Sequence, residues 1–548
     1  MRTKLPRLVA FLTLCLLPVF TVAEGTVSII LENVTMIDKL GEDEDETVNI
    51  VIKDGYLDLV TKDGMPEEPG VPVYNANGAV LLGVLDIGKP AGFLLLDESP
   101  RDNVDILLDT KTHAVFAIAR GEIRRNRLLK ATSKPEKPSG WFAYTPPPIS
   151  LPMNYELSSK WNHFQWDKAS MIFSAAVVLD RARWKAQDDE NVLQVGDLRE
   201  FDGGEIRGLR FGIIGALKFK RPWLYTIFGA TNAFSKGFDT RDVDDFAWFD
   251  YRVDIPVFTD RTLSVGKQKE PISMERIMSM IALPFQERTA GADALLPSRN
   301  VGVVLSGTEL SNRLSWAGGL FNDWLDTGGS RSDSSSQVIG RVTGLPWITE
   351  DESNLLHLGI GYRYSNAKEG LATGTEPEIN MAPEFVNIDP AFTADRLDAV
   401  NYELSWRKGP FWLSSEYTKT KVKDAPGGDL GFSSYHVAAS WILTGEMRPY
   451  NYKSGSLGFV PVSRPVNQGG WGAWEFGLRY SHLDLTDRDI FGGEMDVYSL
   501  ALNWWLRPTV NVNINWRYVE LDKPAEPGGP ILHGQASGFV SRVLLILD

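Results

Sequence analysis

Six histidines and one cysteine are all that this 548-residue chain offers for metal or thiol chemistry. None of the histidines stands as His-x-His or His-Glu-x-x-His, and a zinc hydrolase needs three protein ligands converging on its metal. His113, alone in its segment, is read as a structural residue, so no catalytic residue, metal or cofactor is expected. The side chains that could do chemistry are charged ones at alternate positions of apolar runs. Successive side chains of a strand point to opposite faces, so each such charge faces away from its apolar neighbours. By this parity Arg210, Lys218, Arg252, Arg363, Arg407, Arg479 and Arg517 share the polar face with Asp250, Asp254, Glu403, Glu416 and Glu475. Seven positive and five negative groups make a mixed wall that would meet water and select solutes by charge.

The elements that carry these residues are strands. Val510-Asn511-Val512-Asn513-Ile514-Asn515-Trp516-Arg517-Tyr518 alternates without a break, apolar on even numbers and polar on odd. If it crosses a bilayer, its register is fixed, because turning Arg517 outward near the midplane would cost about 2 to 4 kcal/mol. The same parity runs through Leu209 to Lys218, Phe249 to Ile255, Leu356 to Tyr364, Tyr402 to Arg407, Phe411 to Thr418, Tyr435 to Leu443, Trp474 to Ser481 and Tyr498 to Leu506. Counted to the end, the segment holds about sixteen strands. Short connections (Lys220 to Pro222, Pro256 to Asp260, Arg407 to Pro410, Arg507-Pro508) alternate with long ones (Asp188 to Asp202, Lys236 to Asp245, Glu270 to Ser298, Asp323 to Ser336, Asn366 to Arg396). Short turns on one rim and long loops on the other are what a membrane barrel requires. Thr444 to Gly470 is long on the short side and is read as folding into the lumen. The expected fold is therefore all-β, an antiparallel transmembrane barrel of about sixteen strands preceded by a small β-sandwich-like domain.

The start of the chain reads as an export signal, residues 1–23, with Arg2, Lys4 and Arg7 ahead of an apolar run and a small-residue cut after Ala23. Cys15 falls inside it, leaving no thiol or disulfide in the mature chain. No later stretch is long and apolar enough for a spanning helix. The formal charge of −15 argues against nucleic acid as a partner. Residues 24–130 hold 20 acidic against 11 basic side chains, helped by Glu42-Asp43-Glu44-Asp45-Glu46, which reads as a solvated loop. Short β runs there alternate with turns such as Asp54-Gly55. Residues 131–152, with Pro135, Pro138, Pro146, Pro147, Pro148 and Pro152, form a stiff linker, and residues 153–548 the barrel.

Two resemblances add to this reading. Asn33-Val34-Thr35-Met36-Ile37-Asp38, Asn49 to Gly55 and Gly88-Lys89-Pro90-Ala91-Gly92-Phe93 resemble the β-sandwich that flanks the catalytic barrel of amidohydrolases. Here Gly83-Val84-Leu85-Asp86 runs straight into the second half, so the catalytic barrel is missing and no enzyme is expected. Further on, Leu263 to Pro271, Phe285-Gln286-Glu287-Arg288, Ser298 to Val303, Gly319-Leu320-Phe321-Asn322 and Leu443 to Tyr450 resemble the phosphate-selective porin O and P family of outer-membrane channels. That resemblance implies a homotrimer in outer-membrane lipid, a third loop (Glu270 to Ser298) folded into the pore, and passive diffusion of small anions such as phosphate past arginines and lysines. Lys269 and Arg210 match family positions, and so does Arg207, though its parity is wrong for the lumen. Where the family places a lysine after Tyr in the third strand, this chain has Thr226. A general small-solute porin without phosphate selectivity stays open as the alternative, as do an outer-membrane hydrolase and a barrel that displays the acidic domain.

Overall fold

The computed structural model describes residues 28–36, 46–62, 71–76, 78–83, 85–97, 99, 113–119, 122–126, 128, 162–231, 246–258, 261–322, 334–349, 352–367, 371–392, 394–425 and 427–547. The expected leader and proline-rich linker lie outside them. The described residues fall into two compact units, one before the linker and one after it.

The first unit is one eight-stranded sheet. Its order is Tyr56–Thr61, Glu46–Lys53, Ile29–Met36, Val80–Gly83, Phe93–Leu96, Ala114–Ala119 and Glu122–Asn126, with Val73–Asn75 also pairing beside Ile29–Met36. Ile29, Leu31, Ile50, Ile52, Leu95 and Phe116 anchor a single apolar core. Asp54 and Gly55 both take positive φ, 48° and 80°, which joins two strands in the hairpin turn whose twist matches theirs.

The second unit is a closed antiparallel barrel of sixteen strands. They are Ala169–Gln187, Gly203–Leu217, Trp223–Thr231, Phe246–Pro256, Arg261–Lys269, Arg299–Glu309, Leu314–Asn322, Ser336–Ile348, Asn354–Ser365, Arg396–Lys408, Phe411–Lys423, Leu430–Ile442, Ala473–Asp487, Ile490–Arg507, Val510–Pro524 and Ile531–Leu547. The last pairs with the first, Leu547 opposite Ala175, and closes the ring. Closure leaves no unpaired edge, the condition for a sheet in hydrocarbon. The alternation expected of the fifteenth strand holds: Asn511, Asn513, Asn515 and Arg517 are buried inside, while Val512 and Ile514 are exposed outside. Among the described residues no helix is long and apolar enough to cross a membrane.

Of the several β-bulges in the barrel, two bring residues into the lumen against the simple parity. Val178 pairs with Gly208 and Leu179 with Ile206, so Arg207 is the extra residue of the second strand. A bulge re-aims the side chains on either side of it. Arg207 and Arg210 both end up buried in the lumen, although strict alternation separates them. At the second bulge Phe228 faces Asp250 and Gly229 faces Trp248, which leaves Phe249 as the extra residue. Phe249 is thereby buried beside Asp250 instead of facing lipid.

Three connections occupy the lumen. The third long loop, 270–298, carries the short helices Met274–Ile277 and Ala290–Leu295, and nearly all of its residues are buried. The loop after the ninth strand forms the hairpin Leu371–Thr375 with Val386–Phe392 and packs in the same apolar cluster. From the opposite rim comes the unusually long turn 443–472, with the small hairpin Tyr450–Asn451 and Ser456–Leu457. Arg341 of the eighth strand donates to Ser454 O at 2.6 Å and Gly455 O at 2.8 Å, so this segment lies inside the barrel as its length suggested.

Glycine makes one of these approaches possible. A Cβ on Gly361 would stand 2.0 Å from the carbonyl oxygen of Ile272 in the third loop. Gly361→Val should therefore push the loop off the ninth strand. Overpacking of this kind typically costs about 1 to 3 kcal/mol. The expected result is a lower denaturant midpoint together with a larger, noisier single-channel current; a variant with wild-type midpoint and current would refute the close approach.

Candidate functional site: the loop constriction

The third loop is held by its own caps before it touches the wall. Ser273 accepts from Arg276 N at 2.9 Å, and Thr289 caps the second helix through Ala292 N at 3.3 Å. Glu275 ties the two caps together, accepting from Thr289 N at 3.0 Å and Thr289 Oγ1 at 2.7 Å. A short loop folded on itself in this way presents a fixed set of groups to the surrounding strands.

On one side it is clamped by charge. Arg207 donates from Nε and Nη2 to the two oxygens of Glu287, both at 2.9 Å. Arg542 of the last strand reaches Glu287 at 2.6 Å while also gripping Asp180 at 2.7 and 2.6 Å. Burial pushes the Glu287 carboxyl up, but the Arg207 and Arg542 guanidiniums outweigh it and hold the group down at about 2. Arg479 donates to Glu287 O at 3.0 Å, lies 4.3 Å over the Phe285 ring, and binds Glu378 from the neighbouring inserted loop. Arg517 donates to Gln286 Oε1 at 3.3 Å.

On the other side the lining is cationic and hollow. Arg210, Lys269, Arg288 and Arg299 surround a partly open cavity of about 340 Å³, with Phe249 as its apolar wall. Asp250 bridges Arg210 at 3.0 Å and Arg299 at 2.9 Å, so four cations face one carboxylate. Phe249, brought inward by the bulge, lies 3.5 Å beneath the Arg299 guanidinium. Planar stacking of this kind holds a guanidinium in place, and its edge donates to Asp250. Lys269 Nζ donates to Ile277 O at 3.0 Å and Met278 O at 2.8 Å, and Arg288 Nη2 to Met278 O at 3.0 Å. These carbonyls orient the two side chains. Lys269 also borders a second cavity of about 580 Å³ towards the short-turn rim, with Arg252, Arg341, Lys453 and the hydroxyls of Ser315 and Thr343.

The residues singled out by parity fare unevenly. Arg210, Asp250, Arg252, Lys269, Arg363, Arg407, Arg479 and Arg517 are all buried in the barrel interior. Lys218 is not: the second strand ends at Leu217, and Lys218 is exposed in the turn, donating to Trp166 O at 2.6 Å. Its parity was right, but the strand ends before reaching it. Arg363 is bound to Glu270 Oε2 at 2.9 Å, Arg252 to Asp254 at 3.1 Å, and Arg407 to Arg448 O at 2.6 Å. These three fasten inserted loops or wall neighbours. Arg299, Arg341 and Arg542 lie inward and were missed, although alternation along Ser336–Ile348 and Ile531–Leu547 places Arg341 and Arg542 on the polar face. Arg288 has no such signal, because a loop has no parity. Thr226 does face inward, fully buried, opposite Arg252 in the register.

One grouping with metal-ligand atoms occurs among the described residues, His482, Glu494 and Asp496. It stands on the outward face, where Asp496 already accepts from Tyr480 at 2.7 Å and pairs with His482 at 2.8 Å.

A closed sixteen-stranded barrel, apolar outside and charged within, narrowed by a loop folded into its lumen, is a porin of the outer membrane. The chain belongs to the phosphate-selective porin O and P family, which it matches over residues 181–531. It is 24% identical over 274 residues to an uncharacterized protein of Caulobacter vibrioides, a match covering 47% of this chain. The chain spans about half of that relative, 53% of its length. Similar solved structures include an anion-selective porin from Comamonas acidovorans, at 13% identity and TM-score 0.43, covering 69% of this chain and 100% of that one. Another is the outer membrane channel DcaP of Acinetobacter baumannii, at 9% identity and TM-score 0.41, covering 70% and 99%.

Proposed function

We propose that this porin lets small anions, phosphate among them, diffuse passively through its lumen, and that the cavity between the third loop and strands two, four, five and six is the point of selection. The observation that supports this is the excess of cations there, Arg210, Lys269, Arg288 and Arg299 against Asp250. Guanidinium edges offer paired donors to an oxyanion, and an ammonium adds a point charge. Conduction asks that an ion bind well enough to enter and weakly enough to leave. A mixed wall of salt bridges around one cationic pocket suits that balance. The remaining wall arginines, Arg363, Arg407, Arg479 and Arg517, act in this reading by fixing the inserted loops.

Reversal potentials across planar bilayers test the claim. Under a salt gradient the full chain should show anion over cation preference, and added phosphate should lower the chloride current. Cation preference would overturn the anion reading and leave the barrel untouched. Anion preference without any effect of phosphate favours a general small-anion porin, a reading supported by Thr226 standing where the family has a lysine.

The assembly is proposed to be a homotrimer in outer-membrane lipid, made from a chain cleaved after Ala23, with residues 24–130 as a periplasmic domain, 131–152 as linker and 153–548 as barrel. The likeness of the first domain to an amidohydrolase sandwich without its catalytic barrel gives it no proposed chemistry; His113 there bonds Asp97 at 3.0 Å.

A further inference from the structure

We infer that the outer face of the first barrel strand holds a docking site for a phosphorylated glycolipid of the outer leaflet, formed by Arg181, Arg183 and Lys185. Along Ala169–Gln187 the odd positions up to Arg183 point outward, and Lys185, the extra residue of a bulge, is exposed beyond them. Met171, Phe173, Ala175, Val177 and Leu179 come first from the short-turn rim, then Arg181, Arg183 and Lys185. Arg181, Arg183 and Lys185 are exposed, whereas the even-numbered Asp180, Ala182 and Trp184 between them are buried. A tilted strand crosses the apolar layer in about 9 to 11 residues. The run from Met171 to Leu179 fills that span, so Arg181 is the first outward residue beyond the hydrocarbon. The strand climbs towards the rim of long loops, which in outer-membrane barrels is the extracellular one. The three cations therefore stand at the headgroup level of the outer leaflet.

Their surroundings favour an external anion. Arg181 lies opposite Gly204 on one side and Ser541 on the other, and Arg183 opposite Phe539. No salt bridge is formed by Arg181, Arg183 or Lys185 among the described residues. Carboxylates along this end of the strand are engaged: Asp202 accepts from Trp184 N at 2.6 Å, Asp188 from Asn191 N at 2.8 Å and Gln535 N at 3.0 Å, and Glu190 from His533 N at 2.6 Å. From Arg181 to Lys185 the row extends about 13 Å at roughly 3.3 Å per residue, about the length of a disaccharide carrying a phosphate at each end. On the eleventh strand Lys419 and Lys421 are likewise exposed and outward, whereas three neighbouring strands further round have the opposite sign. Asp484, Glu494, Asp496, Glu520 and Asp522 lie on the outward face of strands thirteen to fifteen. Charge complementarity thus keeps an anionic headgroup off strands thirteen to fifteen, and the first strand adds to its positive charge two guanidiniums that can pair with phosphate oxygens.

The test is native mass spectrometry of the purified full chain titrated with bisphosphorylated lipid A, with its dephosphorylated form, and with inorganic phosphate. The chain should prefer the bisphosphorylated lipid. R181Q/R183Q/K185Q should weaken that binding about a hundredfold, roughly fivefold per charge, with ion selectivity and conductance unchanged. If the triple variant does not assemble, R181Q and R183Q singly should each weaken binding about fivefold, and R181K/R183K should retain it. Equal binding of the dephosphorylated lipid, displacement by millimolar inorganic phosphate, or a variant whose oligomeric mass changes while its lipid binding does not, would each overturn the proposal. None of these outcomes depends on what passes through the pore.

Discussion

Glu287→Ala should cost about 3 to 5 kcal/mol of stability, the scale for removing one partner of a buried ion pair. The carboxylate is shared between Arg207, which binds it with two nitrogens, and Arg542, which also binds Asp180. Truncation removes the anion and leaves two guanidiniums facing each other across the vacated space. Arg542 keeps Asp180, so the penalty falls chiefly on Arg207 and on the loop that carried the carboxylate. The expected observations are a fall in the denaturant midpoint and a rise in single-channel conductance with open-channel noise, because the third loop loses its tie to strands two and sixteen. Because the folded carboxyl is held below its usual range, its contribution is complete above about pH 4.5 and is lost only as pH falls towards 2. The difference between wild type and variant should therefore be constant from neutral pH down to about pH 5. A double-mutant cycle with Arg207→Ala separates this pair from the rest. A coupling energy near zero would show that the loop is held by its other ties, those of Arg479, Arg517 and Lys269 among them, and not by this pair.

How much of this arrangement could be read from residues depends on what each strand's neighbours impose. The barrel and its strand count follow from alternation, because one misplaced polar residue in lipid costs more than any local preference. The inward positions of Arg252, Arg363, Arg407, Arg479 and Arg517 follow for the same reason. Two strands break the rule locally: the bulge at Arg207 brings a residue of the wrong parity inward, and the bulge at Phe249 does the same for an aromatic ring. A bulge adds one residue without a composition of its own, so nothing in the strand announces it. The segment after the twelfth strand could be suspected from length alone. What could not be foreseen is the pairing of charges. Arg363 finds Glu270 and Arg479 finds Glu378 across 93 and 101 residues of sequence, contacts that exist only once the loops have folded inward. A seven-to-five excess of cations in the wall therefore misjudged the lumen. Most of those charges are consumed in holding loops, and the surplus gathers in the two cavities that Lys269 borders, the loop itself adding Arg288 to one of them.

Lys269→Met should lower the anion-to-cation permeability ratio about tenfold. The methionine preserves the length of the stem and removes only the ammonium, which borders both cationic cavities and is held by the carbonyls of Ile277 and Met278. A unit charge about 6 Å from a passing ion at an effective dielectric near 20 is worth about 3 kcal/mol. Mobile salt and the neighbouring arginines reduce that to about 0.7 kcal/mol, and because the charge acts with opposite sign on anion and cation the permeability ratio shifts by about 1.4 kcal/mol, one decade. Because the lysine binds the loop backbone as well, displacement of the loop has to be told apart from loss of charge. A displaced loop would widen the channel and raise conductance for ions of both signs, whereas loss of charge lowers anion current and raises cation current at nearly constant total conductance. Lys269→Arg keeps the charge and should keep the ratio. Phosphate offers a second readout: the concentration that halves chloride current should rise about tenfold in the methionine variant and little in the arginine one. If both variants retain wild-type selectivity, the selecting charges lie with Arg210, Arg288 and Arg299 alone, and Lys269 serves only to fasten the loop.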